Sequence, residues 1–117
     1  MTAPPPAIVS LFGTWIQAFA NAIDGALDPF GYDQGARLTS WYRSPSDNAR
    51  EGGAQRSQHQ LGLAVDVVFP FYTKASAIRS LRRAGLTVIE EADHVHVQAY
   101  VAGTIPDAAF RAAGVRV

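Results

Sequence analysis

Cysteine is absent from the sequence, and disulfides, thiolate metal sites and a cysteine nucleophile go with it. Any metal must then be held by histidine and carboxylate. Histidine is scarce as well: the chain has three, His59, His94 and His96, all within two short motifs. There is no net charge, ten basic residues balancing ten acidic ones, so nothing draws the chain to a polyanion and no nucleic-acid partner is expected. No stretch reads as long enough to span a bilayer. Internal repeats, low-complexity segments and interdomain linkers are also missing. At 117 residues the chain reads as one domain over residues 8–117, preceded by a flexible, proline-rich lead-in over residues 1–7.

What is present is a patterned α+β sequence. Apolar residues at Ile8, Leu11, Phe12, Trp15, Ile16, Phe19, Ile23 and Leu27 have the spacing of one helix face, so a core-packing helix is expected to end near Gly25. A signal peptide is the rival reading, since Ala20-Asn21-Ala22 resembles a cleavage site. It lacks a basic n-region, and the helical spacing runs past that point. Asp28 to Gly35 is rich in turn formers and reads as a loop. Arg37 to Arg43 alternates like a strand that delivers Arg43 to its end. Ser44 to Gln58 is polar, contains Gly52-Gly53, and reads as a long, functional or mobile loop.

A second helix is expected from a Thr73 cap to about Ala84, with Ile78 and Leu81 inside and Gly85 after it. Leu86 to Glu90 reads as a strand. His94 to Gln98 reads as another, with His94, His96 and Gln98 on one face and Val95 and Val97 on the other. A short helix over Pro106 to Ala113 closes the chain.

Asp66 poses the chemical question. It lies within Leu63-Ala64-Val65-Asp66-Val67-Val68-Phe69, an apolar, β-branched run that reads as a buried strand. A carboxylate there costs several kcal/mol unless a positive group compensates it. Arg37, Arg43 or a nest of backbone amides could serve, and so could a metal. Catalytic zinc takes three histidine or carboxylate ligands and keeps a fourth position open, and His59, Asp66 and His96 supply that set. Gly62, between His59 and Asp66, lets the chain turn. Zinc would acidify a water and polarise a carbonyl, which makes amide hydrolysis the natural reaction.

Asp93, three residues before His96, is the candidate general base. On an ideal strand the two point to opposite faces, so Asp93 is expected in the preceding turn or a bulge. Glu91 is a reserve for that role. His94 and Arg43 are candidates for stabilising developing negative charge or binding substrate. A cluster of Arg43, Arg50 and Arg56 around the long loop could hold substrate carboxylates.

The motif Ser57-x-His59-x-x-Gly62-x-Ala64-x-Asp66, followed about thirty residues later by Asp93-x-x-His96, resembles the signature of the M15 zinc peptidases. That family includes D-alanyl-D-alanine carboxypeptidases and phage endolysin peptidases. Ser40-x-Tyr42-Arg43-Ser44 and Gly52-Gly53 are similar to the segment preceding that motif. The resemblance covers roughly residues 38 to 98. It implies a small antiparallel sheet flanked by helices, shared with the hedgehog signalling domain. It implies Zn2+ bound by His59, Asp66 and His96, catalysis by Asp93 with His94 and Arg43, and substrate binding by Arg43 and Ser57. It also implies peptidoglycan stem peptides as substrate, and a phage-encoded or phage-particle protein as one setting. Asp93 departs from the family, many members of which carry Glu there. A second expectation stays open, a zinc-stabilised structural or binding module that turns nothing over.

Overall fold

The computed structural model describes residues 1–29 and 35–117. Its elements are helix α1 (Pro6–Leu27), strand β1 (Arg37–Ser40), helix α2 (Pro45–Arg50), a 3-10 turn (Gln58–Leu61), strand β2 (Ala64–Val68), helix α3 (Phe71–Arg83), strands β3 (Thr87–Glu90) and β4 (Val95–Gln98), and helix α4 (Asp107–Ala112). The strands form a sheet in the order β1-β2-β4-β3, every pair antiparallel. The described residues therefore make a small α+β fold with helices flanking an antiparallel sheet. Most of the expected loop after Asp28, residues 30–34, lies outside the described residues.

The sheet has two chemically distinct faces because side chains alternate along each strand. Val65 and Val67 of β2 stand opposite Val97 and Val95 of β4, and all four are buried in the core with residues of α1 and α3. Asp66 stands opposite His96, so the same register that buries the valines puts the carboxylate and the imidazole together on the other face. A slip of one residue would bury Asp66 in the apolar layer and expose the valines.

Helix α1 is longer than its spacing suggested. It takes in Pro6 and Ala7 from the expected lead-in, because proline is accommodated in the first turn where no backbone donor is needed. Within the rest of the lead-in, the carbonyl of Thr2 accepts from the amide of Tyr42 at 2.9 Å. The helical dihedrals lapse once, at Phe12 (φ −126°, ψ 15°), beside Gly13. Its buried stripe is Ile8, Phe12, Ile16, Phe19, Ile23, Ala26 and Leu27. Leu11 and Trp15, expected on that face, are 43% and 52% exposed. By length and composition alone α1 could cross a membrane, contrary to the expectation that no stretch reaches that length; its buried stripe packs in the core.

The sharpest correction concerns Ser44 to Gln58, which is not structureless. The Ser44 hydroxyl accepts from the Asp47 amide and starts α2, a cap signal that the polar composition masked. Within α2, the buried Asn48 side chain donates to the carbonyl of Ala54 at 2.8 Å, and the Asn48 backbone carbonyl accepts from the Gly53 amide at 2.9 Å. Gly52-Gly53 is thus a clamped turn. Helix α3 begins two residues before the expected Thr73 cap, with Pro70 preceding it; the Thr73 hydroxyl donates to the Pro70 carbonyl. Strand β1 stops at Ser40, three residues short of Arg43.

Candidate metal centre

His59 is placed by the 3-10 turn. Ser57 caps that turn through its hydroxyl, which accepts from the His59 amide at 3.3 Å. Gly62 ends it in the left-handed conformation, φ 74°, and a side chain there would also run into Pro4 and Ile16, so the glycine is required twice over. The segment after β1 braces the turn from the other side. Trp41 Nε1 donates to the carbonyl of Gly62 at 2.9 Å, and the Arg43 amide donates to the carbonyl of His59 at 3.1 Å. His59 is left 1% exposed with its ring above Asp66.

Three elements then converge. His59 Nε2 lies 3.2 Å from Asp66 Oδ1, and His96 Nδ1 lies 3.3 Å from the same oxygen. Ligand atoms of His59, Asp66 and His96 all fall within 4.8 Å of one another. The far side of each ring reveals which nitrogen is free. His59 Nδ1 faces the carbonyl of Trp41 at 2.5 Å, which can only accept, so Nδ1 carries the proton and Nε2 presents a lone pair. His96 Nε2 faces Gln98 Oε1 at 2.8 Å and leaves Nδ1 as its inward lone pair. Two imidazole lone pairs and a carboxylate oxygen therefore aim at one place. Such a set repels itself unless a proton or a cation sits within it, and nitrogen and oxygen donors of this kind suit zinc.

In the metal-free centre a proton takes the place of the cation, and the electrostatics reflect it. Burial pushes the Asp66 carboxyl up, but hydrogen bonds from His59 and His96 and the charges of His59 and His94 outweigh it and hold the group well below the usual carboxylate range. Burial pushes His96 down, yet its hydrogen bonds to Asp66 and Gln98 and the charges of Asp66 and Glu91 raise it on balance. Without a metal, the Asp66 carboxylate and a protonated His96 thus favour one another. Arg43 completes the compensation, with Nη2 at 2.8 Å from Asp66 Oδ2. Of the alternatives weighed for the partner of Asp66, Arg43 is therefore present together with the histidine pair.

The remaining candidates fall around this centre. Asp93 lies in the bend before β4, as its spacing required, but its side chain is 90% exposed and its carboxylate accepts from His94 Nδ1 at 2.7 Å. His94 Nε2 in turn reaches to 3.6 Å from Asp66 Oδ1. The His94 side chain stands between Asp93 and the centre, so Asp93 meets it through the imidazole. That hydrogen bond and the imidazole charge keep the Asp93 carboxyl below its ordinary value. Glu91 lines the cleft beside His96. Ser57 also lines that cleft, though its hydroxyl is engaged as the cap of the turn. Arg50 and Arg56 do not gather with Arg43: Arg50 pairs with Asp47 and Arg56 with Asp107.

The cleft has a volume of about 660 Å³. The clamped Gly52-Gly53 turn forms one rim, Val101 to Gly103 another, and Phe110 of α4 part of the wall. A second depression, lined by Thr39, Ser40 and Asp93, shares Arg43, Glu51, Asp66 and His94 with it. Sequence reasoning had placed Gln98 on the site face without a role, and had passed over Gln58 and Tyr100, whose contacts depend on backbone positions that no motif encodes.

A family model described as Peptidase M15 matches residues 14–98, a span that contains His59, Asp66, Asp93 and His96. No curated protein and no solved structure matches the chain. The match runs over most of the sequence and ends at Gln98, the last residue of β4, and on that ground the chain belongs to the peptidase M15 family.

Proposed function

We propose that the chain is a zinc-dependent peptidase acting on amide bonds in the stem peptides of bacterial peptidoglycan. The observation that carries this reading is the convergence of His59 Nε2, Asp66 Oδ1 and His96 Nδ1 on one point at a cleft, within a chain of a peptidase family. Zinc held there would supply Lewis acidity, polarising a substrate carbonyl and acidifying a water molecule. The chain's own groups would do the rest. Arg43 occupies Asp66 Oδ2 and so would leave Oδ1 to hold the metal. Asp93 holds the His94 proton on Nδ1, which leaves His94 Nε2 free to accept a proton beside the centre and return it to the leaving amine. In this reading Asp93 acts through His94 instead of meeting the water itself, a change of role that follows from its outward carboxylate. Val101, Ile105 and Phe110 offer apolar wall to a bound peptide.

The test is metal content of the purified protein together with release of new amino groups from isolated peptidoglycan, with and without a chelator. One zinc per chain and chelator-sensitive release support the proposal. Stoichiometric zinc without release favours the second reading, a zinc-stabilised binding or structural module; the exposure of Asp93 is the observation on its side. No zinc under any loading condition overturns both.

A further inference from the structure

Two buried glutamines flank the centre, and one backbone peptide joins them. Gln58, 4% exposed, precedes His59; Gln98, 8% exposed, ends the strand that carries His96. The Gln58 side chain pairs with Tyr100 at both ends: Nε2 donates to the Tyr100 carbonyl at 2.6 Å, and Oε1 accepts from the Tyr100 amide at 3.1 Å. Gln98 Nε2 donates to that same carbonyl at 2.7 Å. Each glutamine amide is therefore fixed in one orientation, because a carbonyl oxygen can receive only an N–H. The consequence falls on Gln98 Oε1, which is turned toward His96 Nε2 at 2.8 Å.

We infer that Gln98 is a positioning residue that holds the His96 proton on Nε2 and so commits Nδ1 to the metal, and that Gln58 and Tyr100 hold Gln98 in the orientation this needs. The inference rests on the metal reading of the centre. Its chemical logic is that an imidazole ligates through whichever nitrogen its other hydrogen bond leaves bare. Gln98, like the Trp41 carbonyl behind His59, is a neutral partner for this task. An amide fixes the tautomer without adding negative charge to a site that already holds Asp66, so the cationic character supplied by Arg43 and a bound ion is preserved. The same bonds also tie the turn bearing His59 to the strand end bearing His96, since both glutamines meet at one carbonyl. Ligand separation is thereby set by a rigid three-residue brace.

The experiment compares the wild-type protein with Gln98→Leu and Gln98→Glu. Long-range proton–nitrogen correlation on histidine-labelled protein reads the tautomer, and chelator competition reads zinc affinity. In zinc-loaded wild type the His96 proton is expected on Nε2, with Nδ1 showing the shift of a metal-bound nitrogen. Gln98→Leu is expected to weaken zinc by about 10–100-fold, whereas Gln98→Glu, which keeps an acceptor in place, stays within a few-fold of wild type. Gln58 retains its bonds to Tyr100 in both variants, and circular dichroism checks that each is folded. Ligation through His96 Nε2, or a Leu variant that binds zinc as tightly as wild type, overturns the inference. Should wild type bind no zinc, the metal reading fails by itself. The metal-free spectra above neutral pH then decide: an Nε2 proton on His96 that is lost in the Leu variant upholds the brace, and one that is unaffected refutes it.

Discussion

Arg43 binds the oxygen of Asp66 that the imidazoles leave alone: its Nη2 lies 2.8 Å from Oδ2, while His59 and His96 face Oδ1. The carboxylate is 7% exposed and depends on positive charge from both sides. Arg43→Met should therefore cost the metal-free protein up to about 3 kcal/mol, since it strands a buried charge. Zinc supplies compensation of its own, so the zinc-loaded variant should lose less. Urea unfolding of both forms measures the difference; an equal loss in the two would show that the arginine pair and the ion do not share Asp66.

The contact between Asp93 and His94 makes a second prediction about order. Asp93→Asn and His94→Gln should both keep one zinc per chain, because neither side chain is in the ligand set. Both should lower kcat, within the roughly 10²–10⁴-fold typical of lost acid–base catalysis. If His94 Nε2 is the acceptor, its loss is the larger of the two. Steady-state rates on one peptide substrate decide this, and a greater loss in Asp93→Asn would return the base role to Asp93 directly.

How far this centre could be read from sequence differs by residue. Asp66 was legible because an acid in a β-branched run is anomalous, and alternation put His96 and Gln98 on one face of β4, as found; His94, expected in the same strand, lies in the bend before it and reaches the centre from there. Pairing of Asp66 with His96 depended on register, which alternation alone does not fix between distant strands. The direction of the Asp93 side chain was not legible either, since a bend has no period to read. Helix α2 was hidden by its composition: six residues, one of them buried, leave no apolar stripe, and only the Ser44 cap and Pro45 announced it. Leu11 and Trp15 were misplaced because a helix face drawn from apolar residues comes out too wide when the outer face is apolar as well.

Protonation should act in opposite senses on the metal-free and metal-bound protein. The His96 pKa is raised above its ordinary 6.5, so its contribution to metal-free stability is complete below that value and is lost as pH rises through the folded pKa. Asp66 is depressed from 3.8, so its contribution is present above that value and is lost as pH falls toward the folded pKa. Metal-free stability from these two groups should accordingly be greatest between the two ordinary values. Zinc requires His96 neutral, and its affinity should fall as pH is lowered, beginning above 6.5. Urea unfolding in chelator and zinc competition titrations, each run between about pH 5 and pH 8, test the two trends; parallel trends would mean that His96 is not a ligand.

The cleft rim gives a prediction about packing. Asn48 is 3% exposed and its Oδ1 has no hydrogen-bond partner among the described residues; the space beside that oxygen is where a Cβ on Gly53 would fall. The amide cannot simply swing away, because Nδ2 is committed to the Ala54 carbonyl at 2.8 Å. Gly53→Ala should therefore destabilise by about 1–3 kcal/mol, the range for forcing a side chain into filled space. Gly52→Ala meets no atom within 4 Å and bears only its left-handed backbone, φ 69°, a cost of roughly 1–2 kcal/mol. The two are separated by what a second change does. Removing the obstruction with Asn48→Ala should make the double variant with Gly53→Ala less destabilised than the sum of the single changes, while the same change combined with Gly52→Ala should be close to additive. Thermal or urea unfolding of the five variants supplies both cycles, and additivity in the Gly53 cycle would show that the rim turn is not built on the approach of Gly53 to Asn48.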